Sequence, residues 1–391
     1  MSSRPSPIVA MVALTIAASA VGALPLNLVG ALGFRIEEDL ALSAAGIGVA
    51  VATFRLVQGV SAYRLGGTVD VLGARRALCV ATALTVVCSL VITFGARSLA
   101  VLMLAMAVGG IGKSLMQPAS NRMVVTEARD DQYGIVIGFK QAAAPLSTLL
   151  AGLAVPLIAM TFGWRWAFAV TAVLATLCCV LVLRFMTEER SGKAKATKKE
   201  RPPRDELKLL ALIGVAMAFA NATNSIIPAF WVLGETRAGA DPAQAGVVLA
   251  AASALAIVVR VVSGIACDRL PGDPMFLCAA MLFVGAIGIS TLAFVDSNTI
   301  RSIGLVVGYA GVWGYPAVLW YALLRRFHRT PGYVTGQVTI YSLVGGSFGP
   351  VAFGVVADAT SYGVGWILTA SLAVAAATIM ALSASRMRSS S

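Results

Sequence analysis

Residues 66–76 of this chain read GGTVDVLGARR, and residues 264–272 read GIACDRLPG. Both stretches contain a glycine, an aspartate four residues later, and a basic residue and a further glycine downstream. Each stretch follows the second apolar segment of its half of the chain, so the motif recurs at an equivalent position. An internal repeat of this kind predicts a fold built from two related halves.

The apolar segments around the two copies are long enough to cross a bilayer, for which a helix needs about 20 residues. Helices satisfy their own backbone hydrogen bonds, which lipid cannot do. The sequence therefore predicts an all-α membrane protein with twelve spanning segments. We place them at residues 7–32, 44–65, 77–96, 98–121, 134–161, 165–186, 207–233, 243–266, 274–295, 300–323, 334–357 and 363–383.

A polar stretch separates the sixth segment from the seventh. Residues 187–206 contain seven Lys or Arg residues and two prolines, and so polar a stretch is predicted to be a solvated linker. The chain is therefore expected to have three parts: an N-terminal six-helix bundle over residues 1–186, a basic cytoplasmic linker over 187–206, and a C-terminal six-helix bundle over 207–391.

Composition and charge exclude several other classes of protein. The chain is 58% hydrophobic and 12% charged, with mean hydropathy +0.86, whereas a soluble domain is about 25% charged. With the N-terminus inside, 21 of the 30 Lys and Arg residues fall on the cytoplasmic side and five on the outer side. This asymmetry predicts cytoplasmic termini and explains the net charge of +12 without a nucleic-acid partner. The cysteines and the single histidine lack metal-ligand spacing, so no metal or other cofactor is predicted.

The whole arrangement resembles the major facilitator superfamily of secondary transporters, whose loop between helices 2 and 3 reads G-x-x-x-D-R/K-x-G-R/K-R/K. The second copy keeps the glycine, aspartate, basic residue and glycine, while Val71 and Ala74 replace basic residues in the first copy. The resemblance implies two pseudo-symmetric six-helix bundles around a central cavity that opens alternately to each side. The matching residues are Gly66, Asp70, Gly73, Arg75 and Arg76 in the first copy, and Gly264, Asp268, Arg269 and Gly272 in the second.

The motif has a physical role that the sequence suggests. An aspartate at a helix end can accept charge-assisted hydrogen bonds from arginines and from the N-terminus of a neighbouring helix. Such a contact can form in one conformation and break in the other, although a static staple of the loop is the alternative. The residues predicted to gate transport in this way are Gly66, Asp70, Gly73, Arg75, Arg76, Asp268 and Arg269.

Four basic side chains lie inside the apolar segments, whereas all 18 Asp and Glu residues fall in loops or at segment ends. A charge at membrane depth is costly and persists mainly where it faces a cavity. The negative charge that would pair with these cations is therefore predicted to belong to the substrate. For each cation, a structural hydrogen bond to a neighbouring helix is the alternative. The four are Arg55, Lys113, Lys140 and Arg260.

Arg55 and Arg260 are the predicted anchors, because a guanidinium matches a carboxylate with two hydrogen bonds. They lie on segment 2 and its symmetry mate segment 8, which resembles the nitrate/nitrite porter and organic-anion branches of the superfamily. Residues 163–168 resemble those of cyanate-permease-type members. Arg55 and Arg260 lie 15 and 8 residues before the motif aspartates, so we expect their depths to differ by about 10 Å. Segments 7 and 10 face the cavity in that fold and add Asn221, Asn224, Tyr309 and Trp313 to the predicted substrate-binding set.

These observations predict an alternating-access transporter of a small anion, either an organic carboxylate or a cyanate-like ion. It would work by proton symport or by anion exchange, as a monomer in the lipid of a bacterial cytoplasmic (inner) membrane. The sequence contains no nucleophile–base pair that would indicate an enzyme. The alternative within the same fold is a multidrug efflux pump, which the lack of intramembrane carboxylates disfavours.

Overall fold

The computed structural model describes residues 7–65, 68–127, 141–186, 204–269, 273–327 and 331–389. Within these ranges, twelve helices are long and apolar enough to cross a membrane, which confirms the predicted number of segments. The fifth of them, which begins at Ala143, continues from Ala154 through a π-helical turn, Val155–Ala159, to Phe162. The twelve helices are α1 (Pro7–Ala31), α2 (Ala44–Leu65), α3 (Ala74–Gly95), α4 (Leu99–Glu127), α5 (Ala143–Ala154), α6 (Trp164–Phe185), α7 (Arg204–Arg237), α8 (Pro242–Arg269), α9 (Pro274–Phe294), α10 (Asn298–Arg326), α11 (Pro331–Ala359) and α12 (Tyr362–Ser389).

Helix packing repeats between the two halves of the chain. In the first half α3 packs against α4 and α6, α2 against α4, and α1 against α5 and α6. In the second half α9 packs against α10 and α12, α8 against α10, and α7 against α11 and α12. Each contact recurs six helices later, so the fold consists of two pseudo-symmetric six-helix bundles.

Three helix pairs join the bundles: α2 with α11, α5 with α8, and α1 with α7. Small residues bring the paired backbones into contact. A methyl group added at Gly48 would lie 2.4 Å from the carbonyl oxygen of Pro350, and one added at Gly152 would lie 2.7 Å from that of Gly246. Close approach at small residues is how helices associate in lipid, where apolar surface alone gives no preference for protein contact.

An even number of spans puts both ends of the chain at one face of the molecule, which we call the terminal face. The opposite face, called the distal face, carries the loops that follow the odd-numbered helices. A short helix, Gly33–Leu40, lies there between α1 and α2, and a second short helix, Thr68–Leu72, lies between α2 and α3 at the terminal face.

Two carboxylates near the distal face are more buried than the sequence predicted. Helix α7 continues to Arg237, past the predicted end at residue 233, so Glu235 belongs to a spanning helix and is only 2% exposed. Glu37, on the first short helix, is 8% exposed. Each pairs with an arginine, Glu37 with Arg237 at 2.8 Å and Glu235 with Arg301. Buried carboxylates are therefore present, but their charge is matched within the protein.

Candidate functional site

Arg55 lies on α2 at the interface between the bundles. A methyl group added at Gly346 of α11 would lie 3.3 Å from Arg55 Cδ and 2.6 Å from Asn221 Nδ2. The arginine stem thus crosses a helix of the other bundle beside the Asn221 amide, and the glycine makes room for it. The Nε atom of Arg55 is shielded from solvent and has no hydrogen-bond partner among the described residues. Among the described residues, no carboxylate pairs with this guanidinium.

Arg260 on α8 is 4% exposed and uses its guanidinium to bind protein backbone. Its Nε donates to the carbonyl oxygen of Trp313 at 2.5 Å, and its Nη1 donates to the carbonyl oxygen of Gln141. The guanidinium carbon also lies 5.1 Å from the centroid of the Trp313 ring. Arg260 therefore connects α8 to α10 in its own bundle and to the start of α5 in the other.

Tyr309 on α10 is the residue that relates the two arginines, because it interacts electrostatically with both guanidinium groups. Tyr309 is fully buried, and no described residue lies within hydrogen-bonding distance and geometry of its hydroxyl. The neighbouring hydroxyls of Thr148 and Ser253 donate instead to carbonyls of their own helices.

Trp313 extends the same surface one helical turn further along α10. Its ring lies 5.5 Å from that of Tyr309, centroid to centroid. The Trp313 side chain is 8% exposed, and its Nε1 has no partner among the described residues. The two aromatic residues thus present a phenol hydroxyl and an indole N–H, both buried and unsatisfied, close to two positive charges. Buried polar groups in native structures are normally paired, so both groups remain available to a bound ligand.

The two predicted amides lie on α7. Asn221 donates from Nδ2 to the carbonyl oxygen of Ser342 at 2.6 Å, which ties α7 to α11. Asn224 is 3% exposed, and its Oδ1 has no hydrogen-bond partner in the part of the chain that the structure describes. Asn221 is therefore engaged in packing the helices of its bundle, whereas Asn224 keeps an unused acceptor.

Of the two predicted lysines, Lys113 lies within the described residues and binds a backbone carbonyl of its own bundle. Lys113 on α4 donates from Nζ to the carbonyl oxygen of Ser19 on α1 at 2.6 Å. This bond within the first bundle is the structural alternative that the sequence left open for each cation. Lys140 lies outside the described residues.

The predicted gating motif is described in part. Gly73 precedes α3 with φ +80°, a left-handed conformation that favours glycine. Arg75 donates from Nη2 to the carbonyl oxygen of Leu183 at 2.7 Å, near the C-terminus of α6 in the same bundle. A positive side chain at that end complements the helix dipole. Gly66 and the side chains of Asp70, Asp268 and Arg269 lie outside the described residues, and Arg76 is exposed.

Several residues of the site were not among those predicted from the sequence. Thr148 on α5 and Ser253 on α8 lie beside Tyr309, and Gly346 gives the Arg55 stem its passage. In the sequence, the adjacent glycines Gly345 and Gly346 indicate only that helices can approach each other closely there. Small hydroxyl residues in apolar helices are too common to single out two of them.

A family model described as Major Facilitator Superfamily matches residues 8–350. The hexuronate transporter of Bacillus subtilis (strain 168) is 27% identical over 179 residues, a stretch that covers 44% of this chain and 42% of that protein. The chain thus matches less than half the length of this curated relative.

Solved structures share the fold at low sequence identity. The xylose transporter XylE of E. coli, in a partially occluded inward-open conformation, superposes with a TM-score of 0.78 at 15% identity, covering 96% of this chain and 99% of that one. A bacterial homologue of the human lysosomal transporter Spinster, in an inward-facing and occupied conformation, gives a TM-score of 0.74 at 15% identity, covering 98% of each chain. The repeated six-helix bundles, the twelve spans and the family match over most of the chain agree: this protein is a member of the Major Facilitator Superfamily.

Proposed function

We propose that this transporter carries a small organic anion and binds its negative charge at Arg55. The observation that carries the proposal is the state of this guanidinium, which lies half-buried between the bundles, with its Nε shielded from solvent and no carboxylate partner among the described residues. A buried charge is stable only when paired or hydrogen-bonded. An anionic substrate would supply that pairing at the interface on which alternating access depends.

Arg260 has a second role in this proposal. Its bonds to two backbone carbonyls hold the Trp313 segment and the start of α5 in place. Its positive charge still contributes to the potential felt by an anion near Tyr309. We therefore assign the direct anchor to Arg55 and a positioning and electrostatic role to Arg260, with Lys113 and Lys140 as further contributors of positive charge.

The groups around the arginines favour an organic carboxylate over a cyanate-like ion. Tyr309, Trp313 and Asn224 offer a hydroxyl, an indole N–H and an amide oxygen that no protein group satisfies within the described residues. A substrate with hydroxyl groups as well as a carboxylate could bond to these groups, while its ring or chain packs on the aromatic faces. The relative named as a hexuronate transporter supports this substrate class.

A thermal-shift experiment on the purified protein tests the proposal. D-Glucuronate should raise the melting temperature, whereas D-glucose, which has the same ring but no carboxylate, should leave it unchanged. Ligand at about 100 times Kd adds about 2.7 kcal/mol, which is a shift of a few degrees. Equal shifts with the two sugars would contradict an anion site, and a shift only with simple monocarboxylates would redirect the substrate class.

Removal of the Tyr309 hydroxyl should separate binding from folding. In Tyr309→Phe we expect the KM for the transported anion to rise about tenfold, because one substrate hydrogen bond near a charge is lost. Stability without substrate should not fall, because the hydroxyl is unsatisfied in the protein itself. Uptake kinetics and melting temperature measure the two effects. An unchanged KM would remove Tyr309 from the substrate site.

We further propose that the protein lies in a bacterial cytoplasmic membrane as a monomer, with both termini inside, as the distribution of basic residues predicts. Coupling would be proton symport or anion exchange. Uptake into proteoliposomes distinguishes them: an inward proton gradient drives the first, and internal unlabelled anion drives the second. The buried carboxylates Glu37 and Glu235 are both paired with arginine, which argues against a site for cationic drugs.

A further inference from the structure

Asp358, near the end of α11, makes a contact that joins the two bundles at the distal face. Its Oδ1 accepts a hydrogen bond from the backbone N–H of Ala44 at 3.1 Å, and its Oδ2 accepts one from Ala45 at 2.8 Å. Ala44 and Ala45 form the first turn of α2, in the other bundle. Both carboxylate oxygens are therefore used on one helix N-terminus, where unpaired N–H groups and the helix dipole favour negative charge.

The position of Asp358 on its own helix is unfavourable. Helix α11 ends at Ala359, so the carboxylate lies at the negative end of that helix dipole. Helix α2 does not depend on Asp358 for its cap, because Ser43 Oγ already accepts from the N–H of Gly46 at 3.3 Å. The two hydrogen bonds of the aspartate therefore exist only while the bundles are in contact, and separation would leave it at the negative end of its own helix with the charge of Arg237, in the same bundle, as its remaining favourable neighbour.

A second contact crosses between the bundles on the same face. The short helix Gly33–Leu40 is fastened to the first bundle, because Asp39 accepts from Trp164 Nε1 at 3.0 Å and from Arg165. Those two donors hold the pKa of Asp39 below its usual value, with Arg165 as the larger cause. From this helix, Glu37 reaches Arg237 at the end of α7 at 2.8 Å.

We propose that Asp358 is a latch that holds the two bundles together at the distal face. The Glu37–Arg237 ion pair is a second contact with the same effect. The latch bonds form when α11 meets α2 and break when the bundles part to admit substrate from this side. The latch places a carboxylate on the N-terminus of a helix in the opposite bundle, whereas the sequence predicts for Asp70, at the terminal face, a contact with arginines and the N-terminus of a neighbouring helix. It is independent of the substrate, so it stands or falls separately from the anion site.

Spin-label distances test the latch. Labels at Ala41→Cys and Ala238→Cys, both exposed and on different bundles at the distal face, are introduced into a variant without the six native cysteines. Double electron–electron resonance on the substrate-free protein then gives the ratio of separated to closed bundles. Asp358→Asn keeps the size of the side chain but loses its charge and one acceptor, and should raise that ratio roughly tenfold.

Asp241→Asn is the matched control. Asp241 caps its own helix α8 at the same face, accepting from Ala243 at 3.2 Å and Gln244 at 3.3 Å, and the contact does not cross between bundles. This variant should leave the distance distribution unchanged. A shift equal to that of Asp358→Asn, or no shift in Asp358→Asn, would overturn the latch.

A second variant removes one of the same hydrogen bonds from the α2 side. It keeps the proposal testable if Asp358→Asn fails to fold. Ala44→Pro removes the N–H that Oδ1 accepts, at a helix position where proline is tolerated. It should also raise the separated fraction, although Asp358 is intact. A closed distribution in Ala44→Pro would contradict the proposal.

Discussion

Arg55→Gln should reduce kcat/KM for uptake of the transported anion by about 100-fold or more while the protein still inserts and folds. Truncating one member of a buried charge pair costs about 2–5 kcal/mol of binding, and a neutral amide cannot offer the two parallel hydrogen bonds of a guanidinium. Radiolabelled D-glucuronate uptake into proteoliposomes measures this loss.

The same substitution should have the opposite effect on stability. Arg55 has no carboxylate partner among the described residues, and its Nε is buried and unpaired. Without substrate, the charge is therefore a cost to the folded state, and replacing it with a neutral side chain should raise the melting temperature. A residue that only held helices together would lose stability when replaced. The two measurements together thus separate a substrate anchor from a structural arginine.

Two variants complete this experiment. Arg55→Lys keeps the charge but loses the planar fork, so we expect intermediate uptake. Arg97→Gln makes the same chemical change at an exposed position of the distal face and should leave uptake unchanged. Uptake by Arg55→Gln within threefold of the parent protein would remove Arg55 from the substrate site.

Of the variants proposed here, Glu235→Ala should cause the largest loss of stability, because it breaks an ion pair inside the protein. Glu235 on α7 pairs with Arg301 on α10, and their side chains are 3% and 13% exposed. Removing one member of a buried pair leaves the other charge uncompensated and typically costs about 3–5 kcal/mol. We expect a fall in melting temperature of several degrees or more in detergent solution.

The Glu235–Arg301 pair offers a further check, because replacing both charges with apolar side chains can restore the stability that a single replacement removes. Glu235→Leu combined with Arg301→Met should therefore recover most of the loss. Glu38→Ala is the control: Glu38 pairs with Arg35 at 3.1 Å on the same face, but the two side chains are 70% and 42% exposed. An exposed pair contributes about 0–1 kcal/mol. If Glu235→Ala melts like Glu38→Ala, the buried pair has no special role in stability.

The sequence by itself determined the twelve spans and the two-bundle fold. Hydrophobic segments of bilayer length are a local signal, and in lipid a continuous apolar segment has almost no alternative to a helix. The repeated aspartate motif supplied the relation between the halves. The four intramembrane cations were also visible, because charges are rare enough in apolar segments to be noticed singly.

Only the tertiary structure decided which partners the described cations have. Lys113 meets the carbonyl oxygen of Ser19, 94 residues away, and Arg260 meets that of Gln141, 119 residues away. Backbone carbonyls have no sequence signature, so these partners could not be predicted. Arg55 differs from them because no carbonyl of the described residues is bonded to it, which is a property of the assembled interface and not of its own helix.

The latch has the same origin. Asp358 is one more acidic residue at a segment end until the fold brings it to Ala44, 314 residues earlier in the chain. Its favourable contact depends on the N-terminus of a helix in the other bundle, and so does the proposed control of access. Hydropathy along the chain determined which segments cross the membrane, whereas distant pairing of helix ends and side chains decided which charges are satisfied, because pairing depends on three-dimensional distance.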